Sequence, residues 1–226
     1  MSAQPGHGLR TLVLLRHGET TWNAERRIQG QVDAPLSERG ETQAAAVAPV
    51  LATLDPVVVW SSDLQRAART AARVAAAAGL EVRTDPRLRE FGLGEREGTT
   101  HEAYALEHPH EYADFVTGRW SSVPGAETLT GVRERLEACL GELADLVPPG
   151  RCGVAVAHGA ALRVAVEALV QGTHTEPSAY AGMGNCRYAV LRERPLARPD
   201  EPRWRLHAYD RGGDPVPADE AVAVGA

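Results

Sequence analysis

The sequence predicts an α/β fold, a three-layer α/β/α sandwich around a mainly parallel sheet. Three observations carry that expectation. Short apolar runs alternate with helical patterns along the chain, and three of those runs end in polar residues or short loops that open a helix. The last two runs face each other across a Pro- and Arg-rich loop, as in a hairpin.

Taken in order, residues 9–15 read as a buried first strand that ends at Arg16-His17-Gly18. After an irregular stretch, Ser37 is placed to cap a helix running to about Leu54, with Gln43, Val47, Val50, Leu51 and Leu54 on one face. Residues 56–60 form a valine-rich second strand. Asp63 is then expected to cap an alanine-rich helix that Gly79 stops. A third strand over 80–84 leads into a loop over 85–98, punctuated by Pro and Gly. Residues 99–126 read as short helices over the sheet edge. The longest helix is expected over 127–147, with Leu129, Val132, Leu136, Leu140 and Leu143 on its apolar side. A fourth strand over 153–157 meets His158-Gly159 and a helix to about Gln171, and strands over 185–191 and 204–209 complete the pattern. Residues 1–8 are expected to be disordered, 9–211 to form a single domain, and 212–226 to be a flexible tail with little to bury.

Composition narrows the function classes. The 226 residues are 43% hydrophobic and 24% charged, which excludes a disordered chain, and no apolar run approaches the ~20 residues of a membrane span. A net charge of −6 disfavours nucleic acid and anionic membranes as partners. The odd, widely spaced Cys139, Cys152 and Cys186 suggest neither a disulfide framework nor a zinc site, and read as reduced, buried thiols. The N-terminal residues lack signal-peptide features, so the expected location is the cytoplasm. Every one of the 24 basic residues is arginine, which fits a GC-rich genome; only positions, not the total, carry information.

Those positions converge. In an open parallel sheet ligands bind beyond the carboxyl ends of the strands, where the order of elements can gather Arg16, His17, Arg66 and His158. Two arginines and two histidines make an oxyanion site, and a phosphoryl group is its natural occupant. A metal role for the histidines is disfavoured, because no carboxylate stands at ligand spacing and the arginines repel a cation. A neutral imidazole attacking phosphorus fits better, with a carboxylic acid serving the leaving oxygen. Glu90 is the expected acid, with Glu19 and Glu97 as alternatives. His101, His108 and His110 lack a ligand spacing and are expected at the surface. Arg69 and Arg73 read as a solvated face, Trp60 as core, and Trp120 and Tyr112 as either a substrate mouth or lid packing.

The blocks Leu15-Arg16-His17-Gly18-Glu19-Thr20, Trp22-Asn23, Gln29-Gly30, Pro35-Leu36-Ser37-Glu38-Arg39-Gly40, Ser61-Ser62-Asp63-Leu64-Gln65-Arg66-Ala67, Leu88-Arg89-Glu90 and Ala157-His158-Gly159 resemble, in order, those of the histidine phosphatase superfamily. The resemblance implies a phosphoglycerate mutase-like fold, His17 as the phosphorylated nucleophile and Glu90 as proton donor. It implies Arg16, Asn23, Arg66 and His158 as phosphate ligands, Gln29, Gly30 and Gly159 as pocket residues, and no metal or other cofactor. Gly182-Met183-Gly184-Asn185 and Trp204-Arg205-Leu206 are similar to segments of one group within it, the actinobacterial glucosyl-3-phosphoglycerate phosphatases. The expected activity is therefore hydrolysis of a small phosphorylated metabolite, a sugar or glycerate phosphate. A phosphoglycerate mutase is the first alternative, and Arg119 is the only arginine between Gly98 and Val132 to serve one. An inactive ligand- or protein-binding member is the second. A homodimer is left open.

Overall fold

The computed structural model describes residues 8–172, 178–195, 198 and 201–212. Six strands form one mixed sheet, β1 (Thr11–Arg16), β2 (Pro56–Ser61), β3 (Val82–Thr84), β4 (Cys152–Ala157), β5 (Tyr188–Glu193) and β6 (Trp204–Arg211), in the order β3-β2-β4-β1-β5-β6. The first four in that order run parallel, whereas β5 is antiparallel to β1 and to β6. Alternation along β1 explains the layers. Leu12 and Leu14 join one core cluster, Val13 and Leu15 the other, because successive side chains of a strand point to opposite faces.

One face is covered by α2 (Glu38–Ala52) and α3 (Gln65–Ala78), through Ala44, Val47, Ala48 and Leu51 and through Ala67, Ala71, Val74 and Ala75. The other is covered by α6 (Leu129–Leu146) and α7 (Gly159–Gln171). A short helix α1 (Thr21–Ala24), which the sequence reading left irregular, is fixed by a capping box between Thr20 and Asn23. Helices α4 (His101–Glu107) and α5 (Pro109–Thr117) pack on each other through an aromatic cluster of Tyr104, Tyr112 and Phe115, and the 3-10 turn Trp120–Ser122 packs on α5.

Several expectations are corrected. Ser37 caps α2 as expected, but Asp63 does not cap α3: its carboxylate grips Arg89 at 2.8 and 2.6 Å. Asp33, from a distant loop, receives the Gln65 amide instead, at 2.9 and 3.1 Å. Strand β3 begins two residues late because the Leu80 amide is still bonded to the Ala75 carbonyl. Glu127 lies outside α6, whose N-cap is Thr128, and its carboxylate serves Arg135 and the Gly92 amide. Strand β5 starts at Tyr188 because Cys186, at φ +52°, turns the chain and bonds its amide to the His17 carbonyl. The expected N-terminal segment up to residue 7 and the expected tail from residue 213 lie outside the described residues.

Trp60 is buried, and Cys139, Cys152 and Cys186 are free buried thiols. Arg69 and Arg73 are exposed and pair with Glu41. No described helix is long and apolar enough to cross a membrane.

Candidate active site

Residues far apart in sequence meet where β1 and β4 end side by side. Arg16 is opposite Ala157 in the register, and the His17 amide bonds to the Ala157 carbonyl at 3.0 Å. His17 and His158, the residues following β1 and β4, therefore lie with ring centroids 5.1 Å apart. Arg66 enters from the first turn of α3, after β2. The loop after β1 can approach α2 only through glycines: a Cβ on Gly18 would lie 2.6 Å from the Gly40 carbonyl oxygen, and one on Gly40 would lie 1.9 Å from that of Glu19.

Each polar group is positioned by a nearby backbone or side chain. His17 Nδ1 is 2.6 Å from the Gly18 carbonyl oxygen. A carbonyl only accepts, so Nδ1 carries the hydrogen and the Nε2 lone pair is left for chemistry. Arg66 spends three of its five N–H groups, on His158 Nδ1 at 3.2 Å and on the Val32 and Gly30 carbonyls at 2.7 Å each. Arg16 is bonded to the Met183 carbonyl, and its buried Nε has no partner among the described residues. Glu90 accepts the amides of Phe91, Ala160 and Ala161, the last two at the N-terminus of α7, where anions are favoured.

Electrostatics set the protonation of the cluster. Burial, then Arg66 and Arg16, hold His17 well below the ordinary histidine value. Burial and then Arg66 do the same to His158. Burial also pulls Arg66 down to about 10 and lowers Arg16, while Glu90 opposes both shifts. At neutral pH the site thus holds two neutral imidazoles and two guanidinium cations.

These groups open into a pocket of about 220 Å³. Arg16, His17, Asn23, Gln29, Gly30, Arg66, Glu90 and Gly159 all line it, and His158 adjoins it through its contact with His17. Asn23 Oδ1 is occupied by Thr20 and by Asn185 Nδ2, which leaves the Asn23 amide hydrogens for an oxyanion. Glu19 and Glu97 do not line the pocket. The Glu19 carboxylate meets Ser37 and Arg39, and that of Glu97 caps the amides of Gln31 and Leu93.

Some lining residues escaped the sequence reading. His101, expected at the surface, is half-buried and lines this pocket with Phe115 and Trp120. Trp120 also packs on Phe91, whereas Tyr112 belongs to the aromatic cluster and to a neighbouring cavity. Arg163 also lines the active-site pocket, four residues after Gly159, a spacing that places both on one side of α7. Burial lowers its guanidinium, opposed by Tyr209, Glu167 and Glu90. Among the described residues, no group of three or more His, Cys, Asp or Glu is arranged to hold a metal ion.

A model of the histidine phosphatase superfamily (branch 1) matches residues 12–207. The chain is 36% identical over 210 residues to a glucosyl-3-phosphoglycerate phosphatase of Mycobacterium tuberculosis, covering 89% of this chain and 94% of that one. It is 41% identical over 160 residues to a probable phosphoglycerate mutase of Cronobacter sakazakii, covering 70% and 74%. The solved structure of the mycobacterial glucosyl-3-phosphoglycerate phosphatase complexed with VO3 superposes with a TM-score of 0.79 at 37% identity, covering 89% of this chain and 99% of that one. With most of its length matched and its polar pocket built at the ends of β1, β2 and β4, the chain belongs to the histidine phosphatase superfamily.

Proposed function

We propose that this phosphatase hydrolyses a small phosphorylated metabolite through a phosphohistidine on His17, without a metal, and that glucosyl-3-phosphoglycerate is the first substrate to test. The observation that carries the reading is the pairing of a neutral, buried His17, its Nε2 lone pair free, with the buried Arg66 and the half-buried Arg16 guanidinium in one pocket.

Nε2 attacks phosphorus in line, the phosphorus–oxygen bond to the leaving group breaks, and Glu90 gives its proton to the departing oxygen. Arg16 and Arg66 neutralise the equatorial oxygens, with N–H groups from His158 and Asn23 completing the cradle. Glu90 then takes a proton from water, whose oxygen attacks the phosphohistidine and returns the electron pair to Nε2.

A mutase reading draws support from the 41% identical relative. Hydrolysis is favoured because the phosphatase relative covers 89% of the chain, and because Arg119, the only arginine between Gly98 and Val132, is engaged by Asp114 at 3.0 Å. The test is to offer glucosyl-3-phosphoglycerate and 3-phosphoglycerate with a chelator present. Release of inorganic phosphate, with acid-labile label trapped on His17 and lost in His17→Ala, is the expected result. Formation of an isomeric phosphoglycerate without phosphate release would instead support the mutase.

A further inference from the structure

Glu90 reaches the pocket from the segment between β3 and α4, which carries two 3-10 turns, Pro86–Leu88 and Gly94–Arg96. Neither turn contains Glu90, yet its carboxyl group must keep one position while a proton passes. The segment is held from α6 instead. Arg135 donates from Nη1 to the Arg87 and Arg89 carbonyls at 2.8 and 2.7 Å, and from Nη2 to the Glu90 carbonyl at 2.9 Å. The peptide groups on both sides of Glu90 are thus tied to one guanidinium. Its other N–H groups meet Glu127, Nε at 3.1 Å from Oε1 and Nη2 at 2.9 Å from Oε2. Glu127 Oε2 also accepts the Gly92 amide at 2.7 Å and Gln31 Nε2 at 3.1 Å. Burial pushes the Glu127 carboxyl up, but Arg135 and the Gly92 amide hold it below the ordinary value, so the clamp is an ion pair at neutral pH.

We propose that Arg135, with Glu127 as its counter-ion, is a positioning residue for the proton donor: it fixes the backbone on both sides of Glu90 so that the carboxyl group meets the leaving oxygen. The inference rests on the phosphohistidine reading, in which Glu90 serves that oxygen, and deepens it by assigning a residue that acts only through Glu90. Arg135 does not line the pocket, so it has no direct hold on a substrate. A guanidinium suits the task because its planar fork reaches three carbonyls and a carboxylate at once, which an ammonium cannot do. Displacing an acid by about 1 Å costs on the order of 10²-fold in rate.

The competing role is a staple between α6 and the segment after β3, with no bearing on proton transfer. A staple would lower stability and slow every ester alike. The measured quantity is the single-turnover rate of His17 phosphorylation by glucosyl-3-phosphoglycerate, whose alkoxide needs a proton, and by p-nitrophenyl phosphate, whose phenolate does not. In Arg135→Gln the first rate should fall by about 10²-fold and the second by less than about threefold, with part of the loss recovered in Arg135→Lys. Glu90→Gln and Glu90→Gln with Arg135→Gln should react equally slowly with glucosyl-3-phosphoglycerate, since no acid is left to position. Should Arg135→Gln fail to fold, Glu127→Gln keeps an acceptor for the Gly92 amide and should show the same selectivity at about tenfold. Equal slowing of both esters by the folded variant, or a further loss in the double variant, overturns the proposal.

If glucosyl-3-phosphoglycerate does not phosphorylate the wild-type protein, or Glu90→Gln slows both esters alike, the reading beneath the proposal fails and amide hydrogen exchange decides the positioning separately. The Phe91, Ala160 and Ala161 amides are those that bond to the Glu90 carboxylate. Their exchange should quicken at least tenfold in Arg135→Gln, or in Glu127→Gln if only that variant folds, while the β4 amides keep their wild-type rates. Unchanged exchange at those three positions, or equal quickening in β4, overturns the inference.

Discussion

Arg66 Nε donates to His158 Nδ1 across 3.2 Å, joining a residue from the start of α3 to the residue that follows β4. Because a guanidinium can only donate, Nδ1 is the acceptor and the hydrogen of neutral His158 sits on Nε2. That Nε2 is buried and has no partner among the described residues. An unmet buried donor is costly, and a phosphate oxygen is the kind of group that satisfies it. One arginine therefore sets both the charge of the site and the direction in which a neighbouring imidazole donates.

Arg66→Lys should lower kcat by about 10²-fold or more although the charge is retained. A lysine ammonium is a point donor and cannot reach Gly30, Val32 and His158 together in the planar arrangement that Arg66 makes. Steady-state kinetics and a thermal melt decide it: near-wild-type turnover would mean that charge alone suffices.

The pH profile follows from the direction of the His17 shift. His17 attacks as the neutral base, and burial with Arg66 and Arg16 keeps it neutral below its ordinary value of 6.5. The acid limb of kcat/KM should accordingly lie below pH 6.5, and Arg66→Gln, which removes one of the two cations, should move it upward. The same shifts affect stability. Since His17 and His158 bind protons more readily in the unfolded chain, stability is complete above about pH 6.5 and declines as pH falls from there toward their folded values. Melts across pH 5 to 8 check the sign.

Glu90→Gln should act according to the leaving group. A sugar or glycerate alkoxide requires a proton, whereas p-nitrophenolate leaves without one, so single-turnover phosphorylation by the former should slow far more. Loss of the base for water attack can bring the steady-state rates together, which is why the first turnover must be isolated. Equal slowing for both esters would remove Glu90 from the acid role.

Gly30→Ala tests the support beneath Arg66. Gly30 has φ +52°, and a Cβ there would lie 2.0 Å from Glu97 Oε1, the atom that caps the Gln31 and Leu93 amides. The substitution should cost about 1–3 kcal/mol of stability and lower kcat, because the Gly30 carbonyl that orients Arg66 moves with the strained backbone. Denaturant melts and kinetics of the same preparation measure both effects.

The α/β alternation, the parallel strands that lead into Arg16-His17, Ser61-Ser62-Asp63 and His158-Gly159, the closing hairpin and the Ser37 cap were legible in the sequence. Each depends on a local pattern: apolar runs of strand length, a capping hydroxyl, or a glycine such as Gly79 in the left-handed conformation that ends α3. The amino-acid order also marked the residues that gather in one pocket, because ordered family blocks carry more information than any single histidine.

Tertiary structure decided what no local pattern encodes. Asp33 rather than Asp63 serves the start of α3, since Arg89 engages Asp63. Only chain packing turns Glu19 and Glu97 away from the pocket and Glu90 into it. His101 and Arg163 are likewise drawn into it by the placement of α4 and by the helical phase of α7. The physical reason is common to all of them: a polar side chain takes its orientation from the donor, acceptor or ring it meets across the fold, and those partners lie tens of residues away in sequence.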